Sequence, residues 1–174
     1  MNKPIDKDSS LSECNCIVNW ILKNIPEGRV IIELGSGHGT TRILGEKYDL
    51  YSIEHNLDWC GIYNSTYIYA PIKDKFYDLE VLKKELPKEY DVIIIDGPPS
   101  KIDGKRNERM GFYDNLDMFN NDVVMVFDDL HRKRDKWLLD NVCDKLKRDA
   151  KIYSCSCSKK GTARGKKKFA ILNK

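Results

Sequence analysis

A chain of 174 residues, 41% hydrophobic and 33% charged with a net charge of +3, has the composition of a soluble globule and not of a disordered or fibrous chain. That length buries about two-thirds of the unfolded surface, enough for one domain over residues 1–174 without staples. No apolar run approaches the roughly 20 residues that cross a bilayer, and the first ten residues lack a signal-peptide core, so a cytoplasmic protein with no membrane partner is expected.

Residues 1–28 read as a lead-in and a first helix. Leu11, Cys14, Ile17, Val18, Ile21 and Leu22 recur at helical spacing, and Ser9 or Ser10 can cap the start. A strand is expected at 29–34, then a glycine turn, a helix through 40–48, a strand at 50–55 and a short helix at 56–64. Residues 66–72 read as a third strand, and 78–86 as a helix stopped by Pro87. The run Val92–Ile95 is the clearest central strand, closed by Asp96, Gly97 and two prolines. A polar loop leads to a helix at 110–119, a fifth strand at 122–129 and an amphipathic helix at 132–148. Residues 151–174 close the chain as a β-hairpin around a basic turn. This alternation predicts an α/β fold, a three-layer sandwich around a mostly parallel seven-stranded sheet with an antiparallel strand from the terminal hairpin.

Six cysteines form two C-x-C pairs, Cys14 with Cys16 and Cys155 with Cys157, and two singles, Cys60 and Cys143. None has the C-x-x-C spacing of a zinc or redox motif, so reduced structural thiols are expected. The positive charge gathers in residues 145–168, either as a solvated helix end and hairpin tip or as a landing site for an anionic substrate.

The stretch VIIELGSGHGTT sets Glu33 at a strand end and glycines at Gly35, Gly37 and Gly39, with Ser36 between the first two. Such a turn lets backbone approach a ligand without hindrance from Cβ atoms. The spacing is G-x-G-x-G, unlike the G-x-G-x-x-G of dinucleotide sites, and the carboxylate of Glu33 suits a cation better than a pyrophosphate. A ligand bearing an ammonium and a sulfonium fits, which points to S-adenosylmethionine. Glu54, at the next strand end, can accept both ribose hydroxyls, and His55 can pack on adenine. His38 is expected to face the cofactor carboxylate or solvent. The bland alternative leaves Glu33 and Glu54 as caps or ion-pair partners of an unrelated α/β domain.

On these residues the chain resembles the class I S-adenosylmethionine-dependent methyltransferases over nearly its whole length. ELGSGHG is similar to their first motif, IEHN to the second and YDVIIIDGPP to the fourth. At the other strand ends stand Asp96, Asp128 and Asp129, whose convergence suits Mg²⁺ or another divalent cation. Catechol-type O-methyltransferases are similar here, which implies the three acids as metal ligands. The competing expectation is that Asp96 touches cofactor or substrate while Asp128 or Asp129 caps the next helix. Without metal a general base is needed, His131 or one of the acids Asp128 and Asp129.

A narrower resemblance, to the glucuronoxylan 4-O-methyltransferase-like polysaccharide enzymes, rests on Asp96, Arg109, Met110, Tyr113, Asp129 and Arg132. It implies a sugar hydroxyl as acceptor, with Arg106 or Arg109 pairing a uronate carboxylate and Tyr113 and Arg132 beside it. The plain alternative has these arginines pairing with Asp103 or Glu108. The expected catalytic residues are thus Asp96, Asp129 and His131. An RNA methyltransferase is the rival within enzymes, and a non-catalytic S-adenosylmethionine-binding protein the rival outside them.

Overall fold

The computed structural model describes residues 16–99, 101–102, 105–106, 109–155 and 167–174, with 101–102 and 105–106 as backbone. Strands form where β-branched and aromatic residues gather between turn residues. They are β1 (Val30–Leu34), β2 (Asp49–Glu54), β3 (Thr66–Tyr69), β4 (Val92–Ile95), β5 (Val124–Phe127), β6 (Ala150–Ser154) and β7 (Lys168–Leu172). Their order across the sheet is β6-β7-β5-β4-β1-β2-β3. The first five strands are parallel, and β7 runs against both of its neighbours, as the hairpin pattern anticipates. Because β1 lies between β2 and β4, strand order reverses beside it, the place where open α/β sheets form a ligand crevice at their carboxyl edge.

The core splits by strand alternation. Ile31, Val92, Ile94, Val126 and Ile171 face α1 (Cys16–Asn24) and α2 (Thr41–Leu44) through Ile17, Val18, Ile21 and Leu44. Ile32, Leu34, Ile93, Ile95 and Phe127 face Leu82 of α3 (Leu79–Glu85), Phe112 of α4 (Met110–Asp114) and Leu138 of α5 (Lys133–Leu146). Each aliphatic side chain so buried contributes roughly 1.5–3 kcal/mol.

Several elements differ from expectation for local reasons. The helix after the glycine turn ends at Leu44, where Asn64 Nδ2 takes the Gly45 carbonyl at 2.7 Å. Residues 57–59 make a single 3₁₀ turn capped by Asn56, not a helix through 64. β3 stops at Tyr69 before Pro71, and Ile72–Lys73 instead pairs with Phe76–Tyr77 in a separate hairpin. Its turn residues Asp74 and Lys75 both have positive φ, 51° and 73°. Residues 110–119 split into α4 and a 3₁₀ turn at Leu116–Met118.

The cysteines correct the expectation of free thiols. Cys16 and Cys155 are joined by a disulfide, with Cα atoms 5.9 Å apart and 139 residues between them in sequence. The first residue of α1 lies against the residue that follows β6, a proximity no spacing rule shows. Cys60 and Cys143 are free, while Cys14, Cys157 and the Ser9 or Ser10 cap lie outside the described residues. The bond removes the cysteine argument for a reducing compartment. Among the described residues no helix is long and apolar enough to cross a membrane.

Candidate functional site

The carboxyl edge of β1 and β2 carries the first half of the site. Gly35 follows β1 at φ 89°, a conformation an L side chain resists, and donates its N–H to Ile53 O at 2.9 Å. Register sets Glu33 directly opposite Ser52 of β2. Ser52 and Thr41 donate their hydroxyls to Glu33 Oε1 at 2.6 and 2.5 Å. The other oxygen, Oε2, is buried with no hydrogen-bond partner among the described residues. Burial raises Glu33 from 4.5 to about 7, against the lowering effect of three hydroxyls, those of Ser52, Thr41 and the neighbouring Thr40.

Glu54 is also buried, and its carboxylate straps the glycine turn to the end of β2. Oε2 accepts from Ser36 N at 3.1 Å and Ser36 Oγ at 2.7 Å, and Oε1 accepts from His55 N at 2.7 Å and Asn56 N at 2.9 Å. His55 Nδ1 lies 2.8 Å from the same Oε1 without the alignment of a hydrogen bond. His38 is partly buried. It packs on Trp59, with ring centroids 4.9 Å apart, and its Nδ1 bonds the Tyr63 hydroxyl. A side chain built at Gly37 would meet open space, whereas Gly39 is exposed.

The second half stands at the ends of β4 and β5. One oxygen each of Asp96, Asp128 and Asp129 lies within 4.8 Å of the others, the convergence the sequence suggests. Asp129 is held at φ 60°, and its N–H bonds Asp128 Oδ1 at 2.6 Å. Protein cations meet all three acids. Arg109 Nη2 reaches Asp96 Oδ1 at 3.0 Å and Asp129 Oδ2 at 3.3 Å, Arg132 reaches Asp129 at 2.8 Å, and Lys167 reaches Asp128 at 2.7 Å. Arg109 Nη1 takes Asp135 Oδ1 at 3.1 Å, Nη2 also reaches the carbonyl of Asp96, and Nε donates to the carbonyl of Pro98. Burial, then the neighbouring Asp128 charge, raise Asp96 from 3.8 to about 7, with Arg109 opposing. Its side chain keeps 37% exposure, so it can meet a ligand, and the water that reaches it limits that rise.

This geometry changes the expected roles. The Arg109 fork, 11% exposed, is turned inward on three of the protein's own acids and is not free for a substrate carboxylate. Tyr113 is half-buried with Lys145 Nζ 5.4 Å from its ring centroid. Arg106 lies on a two-residue strand paired with Lys101–Ile102, and its side chain falls outside the description. His131 is exposed, with Nδ1 3.9 Å from Asp129 Oδ1. The three acids are a hard-oxygen donor set suited to a divalent cation. As arranged, though, Arg109, Arg132 and Lys167 already supply the countercharge, and a dication would have to displace at least the two half-exposed ones.

Sequence reasoning passes over Ser52, Thr41, Asp135, Lys167 and Tyr77. Ser52 has a signal, since pairing β1 with β2 in register puts it opposite Glu33. Asp135 hides in a run of cations, and Tyr77 in a hairpin that lacks a glycine turn.

No family model and no curated protein matches the sequence. Solved structures do match the fold. A Klebsiella pneumoniae protein described as an O-methyltransferase aligns over 95% of this chain and 83% of its own, at 11% identity and a TM-score of 0.60. Magnesium protoporphyrin IX methyltransferase of Synechocystis, solved with bound S-adenosylmethionine, covers 91% and 77% at 11% identity and 0.55. The E. cuniculi Mtq2–Trm112 complex, which methylates the translation termination factor eRF1, covers 91% and 93% at 13% identity and 0.53. The chain therefore has the fold of the class I S-adenosylmethionine-dependent methyltransferases.

Proposed function

We propose that this protein is an S-adenosylmethionine-dependent O-methyltransferase acting on a hydroxyl of a sugar or another small polar acceptor. The observation that carries the reading is Glu33 Oε2, a buried, unpartnered carboxylate oxygen beside the glycine turn, which fits a ligand cation. Gly35, Ser36 and Gly37 line the approach. Glu54 takes a ribose hydroxyl by exchanging it for the Ser36 hydroxyl, since both its oxygens are otherwise occupied. The cofactor, when bound, supplies an electrophilic methyl group on a sulfonium.

Asp96 is the general base. Raised to about 7, it would take the acceptor hydroxyl proton near neutral pH as that oxygen gains the methyl group. Arg109 fixes the orientation of that carboxylate through Asp96, Asp129 and Asp135 together. His131 stands exposed beside Asp129.

Transfer of labelled methyl from S-adenosylmethionine to a panel of uronic-acid glycosides and their carboxyl-reduced forms tests the reading. Wild type should label a hydroxyl and Asp96→Asn should lose at least about a hundredfold in rate, within the usual range for a general base. Labelling of RNA with no sugar product would replace the acceptor. One observation favours that second reading: His131, Arg132, Lys133 and Arg134 are all exposed, with Trp137 55% exposed one turn on. Such a basic and aromatic face suits a polyanion, and its binding would be salt-sensitive.

A further inference from the structure

Tyr77 is fully buried, yet its hydroxyl has no hydrogen-bond partner among the described residues. The short hairpin Ile72–Lys73/Phe76–Tyr77 delivers it, folded back by Asp74 and Lys75 at positive φ. The ring packs edge-on against Phe76 at 5.2 Å. Its oxygen comes to rest over Gly97, where any side chain would collide with it, and a Cβ there would also lie 2.8 Å from Leu34 O. The hydroxyl thus sits between the ends of β1 and β4, in the crevice where strand order reverses.

Glu54, Asp96, Glu33 and Arg109 all act on it electrostatically, so it is central to both halves of the site. Burial first, and the three carboxylates next, push the phenol well above its ordinary value, so it stays a neutral donor. A phenylalanine would fill the same space. Burying an unbonded hydroxyl is unfavourable, so the oxygen needs a partner that arrives with the ligand.

Resting on the methyltransferase reading, we propose that Tyr77 is a cofactor-binding residue whose hydroxyl hydrogen-bonds the amino-acid end of the S-adenosyl ligand. The end of β1 beside Gly35 and the unpartnered Glu33 oxygen form the half of the crevice suited to the ligand's amino-acid end. Glu54 at the end of β2 forms the nucleoside half. Tyr77 meets the former at Gly97, against which Leu34 and Gly35 pack, although the Glu54 charge of the latter also acts on its hydroxyl.

The test compares wild type and Tyr77→Phe in calorimetric titrations with S-adenosylhomocysteine and with 5′-methylthioadenosine, which keeps the nucleoside and thioether but lacks the amino acid. Thermal melts of both ligand-free proteins accompany them. Tyr77→Phe should weaken S-adenosylhomocysteine about tenfold, the scale of one lost hydrogen bond. Methylthioadenosine affinity should be unchanged, and the ligand-free melting temperature equal or higher. Equal weakening of both ligands overturns the assignment to the amino-acid end. Unchanged S-adenosylhomocysteine affinity, or a lower ligand-free melting temperature, overturns the proposal while leaving the methyltransferase reading in place. Failure of wild type to bind S-adenosylhomocysteine overturns that reading and this one with it.

Discussion

Replacing Glu33 by Gln should make the protein's stability less sensitive to a rise in pH from about 4.5 to about 7. Glu33 is 1% exposed, and its carboxyl is raised from 4.5 to about 7, chiefly by burial. The unfolded chain ionises near the lower value, while the folded chain holds its proton up to the higher one. Glu33 is therefore no burden below about pH 4.5, and its effect turns destabilising as pH rises through about 7. At 1.36 kcal/mol per unit, that interval corresponds to about 3 kcal/mol. Gln keeps the acceptor that Ser52 and Thr41 use and cannot ionise. Urea unfolding from pH 4.5 to 8.5 should show wild type losing about 3 kcal/mol relative to Glu33→Gln, nearly all of it before pH 8. Saturating S-adenosylhomocysteine should flatten the wild-type profile, because an ammonium beside Oε2 favours the ionised carboxylate. Parallel profiles for the two proteins would refute the argument that Glu33 is a desolvated acid awaiting a cation.

Arg109→Ala should cost about 3–5 kcal/mol in urea unfolding, because it leaves Asp96, Asp129 and Asp135 without their shared cation, and a surface-like loss under about 1 kcal/mol would contradict the inward fork. Glu54→Ala should weaken S-adenosylhomocysteine in calorimetry by about 1–3 kcal/mol and also lower the melting temperature, since it frees the amides of Ser36, His55 and Asn56. Methyl transfer should persist in excess EDTA, because Arg109, Arg132 and Lys167 already balance the acids, and restoration by Mg²⁺ after a loss would reinstate a metal centre. Cys16→Ser should lower stability by on the order of 4 kcal/mol in non-reducing buffer and by nothing further once dithiothreitol is present.

What the sequence discloses follows from which forces are local. β1, β4 and β5 are readable because strands buried on both faces must be apolar throughout, and the acids Glu33, Asp96, Asp128 and Asp129 interrupt those runs at or near their ends. Gly35 likewise marks a turn, because its φ of 89° suits glycine. The direction of Arg109 is hidden because it depends on Asp135, which lies 26 residues on in another helix. The hairpin of Tyr77 is hidden because Asp74 and Lys75 take up positive φ without the glycine that usually signals it. The Cys16–Cys155 pairing is hidden for the same reason that C-x-C spacing misleads: the partners are set by the closure of the whole sheet.

That disulfide gives the chain an unusual connectivity. With Cys16 opening α1 and Cys155 just past β6, nearly the entire fold lies within one covalent ring. A protease that cuts once anywhere inside it opens the ring but releases no fragment. A break between β4 and β5, for example, leaves the two pieces tied by the sulfur bridge and by the β4–β5 ladder. Such a nicked protein would migrate as one species under non-reducing electrophoresis and as two after reduction. It could keep both halves of its site in register, which makes the loops of the carboxyl edge places where the chain can be opened, lengthened or rejoined without losing the sheet.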